Sequence, residues 1–114
     1  MKEIPEHGST ESITYHLGDD YIGAVKDSEG DIYYINNGEW HRDDGPAITW
    51  YFSSYPTIYV WYLNGLHHSF EAWLEAIGAD APTRTYYTLL YGGPEHIPNV
   101  LPDVDLDTVK RLRQ

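Results

Sequence analysis

Two Asn-Gly dipeptides, Asn37-Gly38 and Asn64-Gly65, stand 27 residues apart, and each closes a run of aromatic and β-branched residues. The first run is Ile32-Tyr33-Tyr34-Ile35 and the second is Tyr59-Val60-Trp61-Tyr62-Leu63. A two-residue type I′ turn holds both central residues at positive φ, which Asn and Gly accept most readily. Each dipeptide therefore predicts a hairpin, with return arms at Glu39-Trp40-His41 and at the stub Leu66-His67. Runs of this kind suit a pleated sheet, so a chain carrying two of them is committed to β structure.

The rest of the chain is punctuated in the same way. Residues 1–11 are polar, contain Pro5 and Gly8, and are expected as a flexible N-terminal arm before a single β-rich domain over residues 12–114. Ile13-Thr14-Tyr15-His16-Leu17 and Tyr21-Ile22-Gly23-Ala24-Val25 read as two strands joined by a turn at Gly18-Asp19-Asp20. Asp27-Ser28-Glu29-Gly30 is a further turn, followed by a strand over 31–36. Ala47 to Phe52 and Thr57 to Leu63 make the next strands, turned by Ser53-Ser54-Tyr55-Pro56.

Alternation divides the last strand into Ile58, Val60 and Tyr62 against Tyr59 and Trp61, so both sheet faces carry large side chains. One amphipathic helix is expected to cover a face. Ser69 supplies an N-cap, Gly78 a C-terminal stop, and Phe70, Trp73, Leu74 and Ile77 fall at i, i+3, i+4, i+7. Thr83–Tyr91 reads as a strand from its Thr and Tyr content, while Leu89-Leu90 is compatible with a helix. A short C-terminal helix, capped by Asp103 or Asp105 and running through Leu112, completes the expected α+β fold. That fold is an antiparallel meander of short hairpins packed against one amphipathic helix.

Charge bounds the partners. The 114 residues carry 18 acids and 7 bases, a net charge of −11. Residues 1–57 hold 11 of the acids and only 3 of the bases. Such a field disfavours direct contact with nucleic-acid phosphates or anionic membranes and favours a basic protein surface. Eleven Tyr and 4 Trp against 2 Phe supply side chains with an apolar body and a polar tip, which suit both half-buried sheet faces and binding surfaces. No cysteine is present, so neither disulfides nor thiolate metal sites enter. The polar amino-terminal residues lack the apolar core of a secretion signal and no 18-residue apolar run exists, so a soluble protein of the cytoplasm of a bacterial host cell is expected.

The segments Trp61-Tyr62-Leu63-Asn64-Gly65 and His41-Arg42-Asp43-Asp44-Gly45-Pro46-Ala47 resemble the small repeat proteins of tailed bacteriophages. Those proteins carry units of the form W-Y-x-N-G-x-x-H-R-x-D-G-P-A. His68-Ser69-Phe70-Glu71-Ala72-Trp73-Leu74 is similar to the ending of such arrays, and the likeness spans about residues 31–77. Ile35-Asn36 departs from the usual aromatic-Leu, and the second unit lacks Arg-x-Asp-Gly-Pro-Ala. The resemblance implies phage origin but no defined activity. In the motif itself Gly45-Pro46 ends a tight loop, Asp43 or Asp44 can accept backbone N–H groups, and Arg42 can pair with a carboxylate.

No catalytic residue is assigned and no cofactor or metal is expected. His41, Asp43, Asp44, His67 and His68 offer metal-binding side chains without the spacing of a known site. His41-Arg42-Asp43 spells a kinase tripeptide without the other kinase elements. The expectation is a non-enzymatic accessory protein that inhibits a host protein, a nucleic-acid-handling defence effector of the kind blocked by anti-CRISPR proteins, through an acidic, DNA-mimicking surface. The expected contact residues are Asp19, Asp20, Asp27, Glu29, Asp31, Glu39, Asp43 and Asp44 at turns and strand ends, with Tyr51, Tyr59 and Trp61 as aromatic anchors. The alternatives are a structural or virion-associated module that forms homo-oligomers, and a small metal-dependent enzyme.

Overall fold

A computed structural model describes residues 1–51 and 57–92. Its elements in chain order are β1 (Lys2–Glu3), α1 (Thr10–Leu17), β2 (Ile22–Lys26), β3 (Ile32–Asn36), β4 (Glu39–Trp40), β5 (Ile48–Trp50), β6 (Ile58–Leu63), β7 (Leu66–His68), α2 (Phe70–Ala76) and α3 (Ala81–Tyr91). The fold is α+β. The sheet runs β1-β2-β3-β5-β6-β7, with β4 also on β3, and every pairing is antiparallel except β1 on β2. The turn at Ser53–Pro56 and the helix expected from Asp103 or Asp105 to Leu112 lie outside the described residues.

Both Asn-Gly turns form as expected. Asn37 and Asn64 each have φ of +49°, followed by Gly38 at +81° and Gly65 at +79°. The first sets Asn36 opposite Glu39 and the second sets Leu63 opposite Leu66. Between β4 and β5, residues 41–47 leave the sheet as a loop whose two ends bond to one residue. The His41 N–H donates to the Tyr34 carbonyl at 3.1 Å, and the Tyr34 N–H donates to the Ala47 carbonyl at 2.7 Å. β4 and β5 are thus one return strand of the first hairpin, interrupted by an extruded loop. In the second hairpin β7 leads straight into α2 instead.

Alternation along β6 builds a core on each sheet face. Ile58 and Val60 join Val25, Tyr33, Ile35, Trp40, Ile48 and Trp50 on the first face, which α1 covers with Ile13 and, in part, Leu17. Trp61 joins Phe70, Trp73 and Leu74 on the second, with Tyr59, Leu63, Ile77, Tyr87 and Tyr91 at its margin. The amphipathic helix predicted from Ser69 is therefore α2, and its stripe faces the sheet. The Ser69 hydroxyl accepts from the Ala72 N–H. A Schellman pair closes the other end, Ala79 N–H to the Leu74 carbonyl and Gly78 N–H to the Glu75 carbonyl.

Three expectations are corrected. Ile13–Leu17 is not a strand but the body of α1. Its start is a capping box in which the Ser9 hydroxyl accepts from the Ser12 N–H and the Ser12 hydroxyl accepts from the Ser9 N–H. Thr83–Tyr91 is helix, because the Asp80 carboxylate caps the Thr83 N–H and Pro82 lies in the first turn, where no N–H is missed. The amino-terminal segment, expected as a flexible arm, is paired into the sheet: Lys2 and Glu3 lie beside Val25 and Lys26, and Ile4 is buried in the first core.

Candidate interaction surface

The acids expected together at turns and strand ends separate into three places and two environments. At one end of the β2–β3 hairpin, three turns lie side by side. The Asn37 N–H donates to the Tyr21 carbonyl at 3.0 Å, and the Gly65 N–H donates to the Trp40 carbonyl at 2.9 Å. The Asp19 carbonyl abuts Gly38, and the Glu39 carboxylate lies against Gly65. This row presents Asp19, Asp20 and Glu39, all exposed and without an ion pair among the described residues.

At the other end of β2–β3, about 17 Å away for five residues of strand, the turn over 27–30 behaves differently. Asp27 and Asp31, which their turn positions predict to be exposed, are only 4% and 0% accessible. Asp27 Oδ1 accepts from the Glu29 and Asp31 N–H groups, and its Oδ2 accepts from the Gly8 N–H and the Tyr33 hydroxyl, all at 2.9–3.0 Å. Asp31 Oδ1 accepts from the Tyr51 N–H at 2.9 Å. Charge-assisted bonds to orphan donors repay desolvation, so these two carboxylates are structural and not contact residues. Burial, and after it the Asp27 charge, pushes the Tyr33 phenol far above its ordinary range, which keeps it a donor. Glu29 stays exposed and pairs with His7 at 3.0 Å.

The third place is the 41–47 loop, built as a fixed projection. Arg42 Nε donates to Asp44 Oδ1 at 2.7 Å, its Nη1 reaches the Pro46 carbonyl, and its guanidinium sits 3.9 Å over the Tyr34 ring. The expected Arg42–carboxylate pairing is thus found within the loop. Gly45 lies so close under that guanidinium that a Cβ there would fall 2.6 Å from Cζ. The Trp73 indole N–H donates to the Arg42 carbonyl at 2.9 Å, tying the loop to α2. His41 Nδ1 accepts from the Asn64 N–H at 2.9 Å, so that nitrogen carries no proton and is committed to joining the two hairpins. Asp43 and Asp44 are exposed on the projection.

Among the described residues, no three His, Cys, Asp or Glu side chains converge on a point where a metal could sit. No helix among them is long and apolar enough to cross a membrane. No family model matches the chain, and comparisons with curated proteins and with solved structures find no match either.

The aromatic anchors divide as the acids do. Tyr51 is 46% exposed. Tyr59 is half-buried with its ring edge-on to Tyr91 at 4.9 Å. Trp61, expected on an open face, is 2% exposed because Phe70, Trp73 and Tyr91 pack over it at 4.5–5.4 Å. Its role is to fill the second core. The residues that sequence reasoning missed are Tyr86, Leu89 and Leu90, which stand exposed on α3. Their i, i+3, i+4 spacing is the signal, and it has meaning only once 81–91 is read as helix.

Proposed function

We propose that this chain is a non-enzymatic binding protein that captures a basic, nucleic-acid-handling host protein through its acidic edge and so inhibits it. The observation that carries this reading is the row of turns with Asp19, Asp20 and Glu39, exposed carboxylates with no cation among the described residues to neutralise them. The Asn37 and Gly65 N–H bonds tie the three turns to one another, which lowers the conformational entropy lost when a basic surface meets the row. Carboxylates fixed on a scaffold can occupy the positions that phosphates take on a nucleic-acid ligand, and steering by net charge speeds encounter.

The test immobilises the full chain and measures retention of purified basic nucleic-acid-binding proteins against salt, with duplex DNA as competitor. Retention that falls steeply with salt, is competed by DNA, and is lost in an Asp19→Asn, Asp20→Asn, Glu39→Gln variant supports the reading. Salt-insensitive retention, or full retention by that variant, sinks it.

A second reading has one observation in its favour. Ile22 is 65% exposed on the second sheet face, the same face as the exposed Tyr51, where α2 and α3 do not reach. That favours a self-associating structural module, for which sedimentation would give a dimer dissociated by Ile22→Lys.

A further inference from the structure

The helix α3 is apolar on two adjoining stripes. Tyr87 and Tyr91 point inward, with Tyr87 edge-on to Trp73 at 5.1 Å and Tyr91 against Tyr59 and Trp61. Tyr86, Leu89 and Leu90 point away from the core, and Leu89 is 81% exposed. Isolated exposed leucines are ordinary, whereas three large apolar groups on one helix stripe form a patch of the kind that partners cover. The 41–47 loop adjoins this helix, since its Arg42 carbonyl holds the Trp73 indole on which Tyr87 packs.

Charge decides what could cover the stripe. Asp43 and Asp44 sit on the adjoining loop and both bear on Tyr87, whose phenol is raised above its ordinary value by burial first and by Asp44 next. Among the described residues, the two arginines nearby are already engaged. Arg42 is held by Asp44, the Pro46 carbonyl and the Tyr34 ring, and Arg84 by the Ala79 carbonyl and Glu71. A second copy, itself carrying a net charge of −11, would add carboxylates and not the missing cations. A segment with apolar side chains on one face and lysine or arginine beside them meets both features.

We propose that Tyr86, Leu89 and Leu90, with Asp43 at the margin, form a docking surface for an amphipathic basic helix of a protein partner. This rests on the reading that the chain binds basic proteins and adds an apolar anchor to it. Leucine at the centre carries the contact, and Asp43 sets its orientation and salt dependence.

Fluorescence anisotropy with a labelled amphipathic helical peptide of leucine and lysine tests the assignment on the full chain. Controls are the same leucine pattern with glutamate, and a scrambled leucine–lysine peptide. Leu89→Ser and Asp43→Asn should each weaken binding of the lysine peptide by about tenfold, and the glutamate and scrambled peptides should bind at least about tenfold more weakly. The Asp19→Asn, Asp20→Asn, Glu39→Gln variant should stay within about twofold of the parent.

Loss with that triple variant but not with Leu89→Ser overturns the α3 assignment and leaves the acidic-edge reading standing. Equal binding of the three peptides, or none, overturns the assignment too. So does a wild-type dimer that Leu89→Ser dissociates, which would make the occupant a second copy. A Leu89→Ser variant that melts several degrees lower with unchanged peptide affinity would show the stripe to be covered by the chain itself, and that also overturns the assignment.

Discussion

Asp27 shows how much one side chain can decide. Four donors converge on it, from Gly8, Glu29, Asp31 and the Tyr33 hydroxyl, so it ties the amino-terminal segment, its own turn and the sheet core to one carboxylate. Asp27→Asn keeps the shape but turns an amide N–H₂ towards two of those donors. It is expected to cost about 2–3 kcal/mol, seen as a lower urea midpoint with an unchanged m-value. Gly8 lies directly over Tyr33, and a Cβ there would fall 2.3 Å from the ring. Tyr33 is fully buried and cannot yield, so Gly8→Ala should destabilise by about 2 kcal/mol or more in the same measurement. The sequence marked Asp27 as a turn residue correctly. It could not mark it as buried, because the segment around Gly8 that closes over it comes from 19 residues upstream.

Among the elements, α2 was legible and α1 and α3 were not, for a definite reason. In α2 the stripe Phe70, Trp73, Leu74 and Ile77 has helical period and no strand alternative. In α1 the residues Ile13, Tyr15 and Leu17 also alternate, which mimics a strand. The helix is revealed by Tyr15, which is exposed while Ile13 is buried. The Ser9–Ser12 capping box outweighs that alternation, and Ser9→Ala should lower stability by about 1 kcal/mol, with faster amide exchange confined to the first turn of α1. The 41–47 segment is legible as a tight loop ended by Gly45-Pro46, and its internal Arg42–Asp44 pair is local enough to infer. Its bond to Trp73 is not. Trp73→Phe keeps most of the ring but orphans the Arg42 carbonyl, and should cost about 1–3 kcal/mol in thermal or chemical unfolding.

Taken as a whole, the molecule should be most stable near neutral pH, and the two limits have different owners. His67 lies partly buried with Nδ1 lacking a hydrogen-bond partner among the described residues, and burial, then His68, lowers its pKa from 6.5. The unfolded chain then binds the proton more readily, so this contribution is full above about 6.5 and is lost as pH falls. Wild type should lose more melting temperature than His67→Gln between about pH 7.5 and about pH 5.5, and equal losses would refute this. At the alkaline end, Tyr33, Tyr62, Tyr87 and Tyr91 are all raised above 10.0, chiefly by burial. Their contribution holds below that pH and fades as it rises, because the unfolded chain ionises first.

Sequence alone determined the two Asn-Gly hairpins, the repeat between them, the covering helix α2, the division of β6 between two faces, and the net charge of the whole chain. Each of these is written in local conformational preference or in periodicity, which neighbours along the chain suffice to specify. Only the tertiary structure decided which carboxylates face water and which are consumed inside. It buried Asp27 and Asp31, closed Trp61 under aromatic rings, and left Asp19, Asp20, Glu39 and Asp43 exposed. Whether a charged group is solvated depends on donors brought from distant segments, and no period or turn signal records where those segments meet.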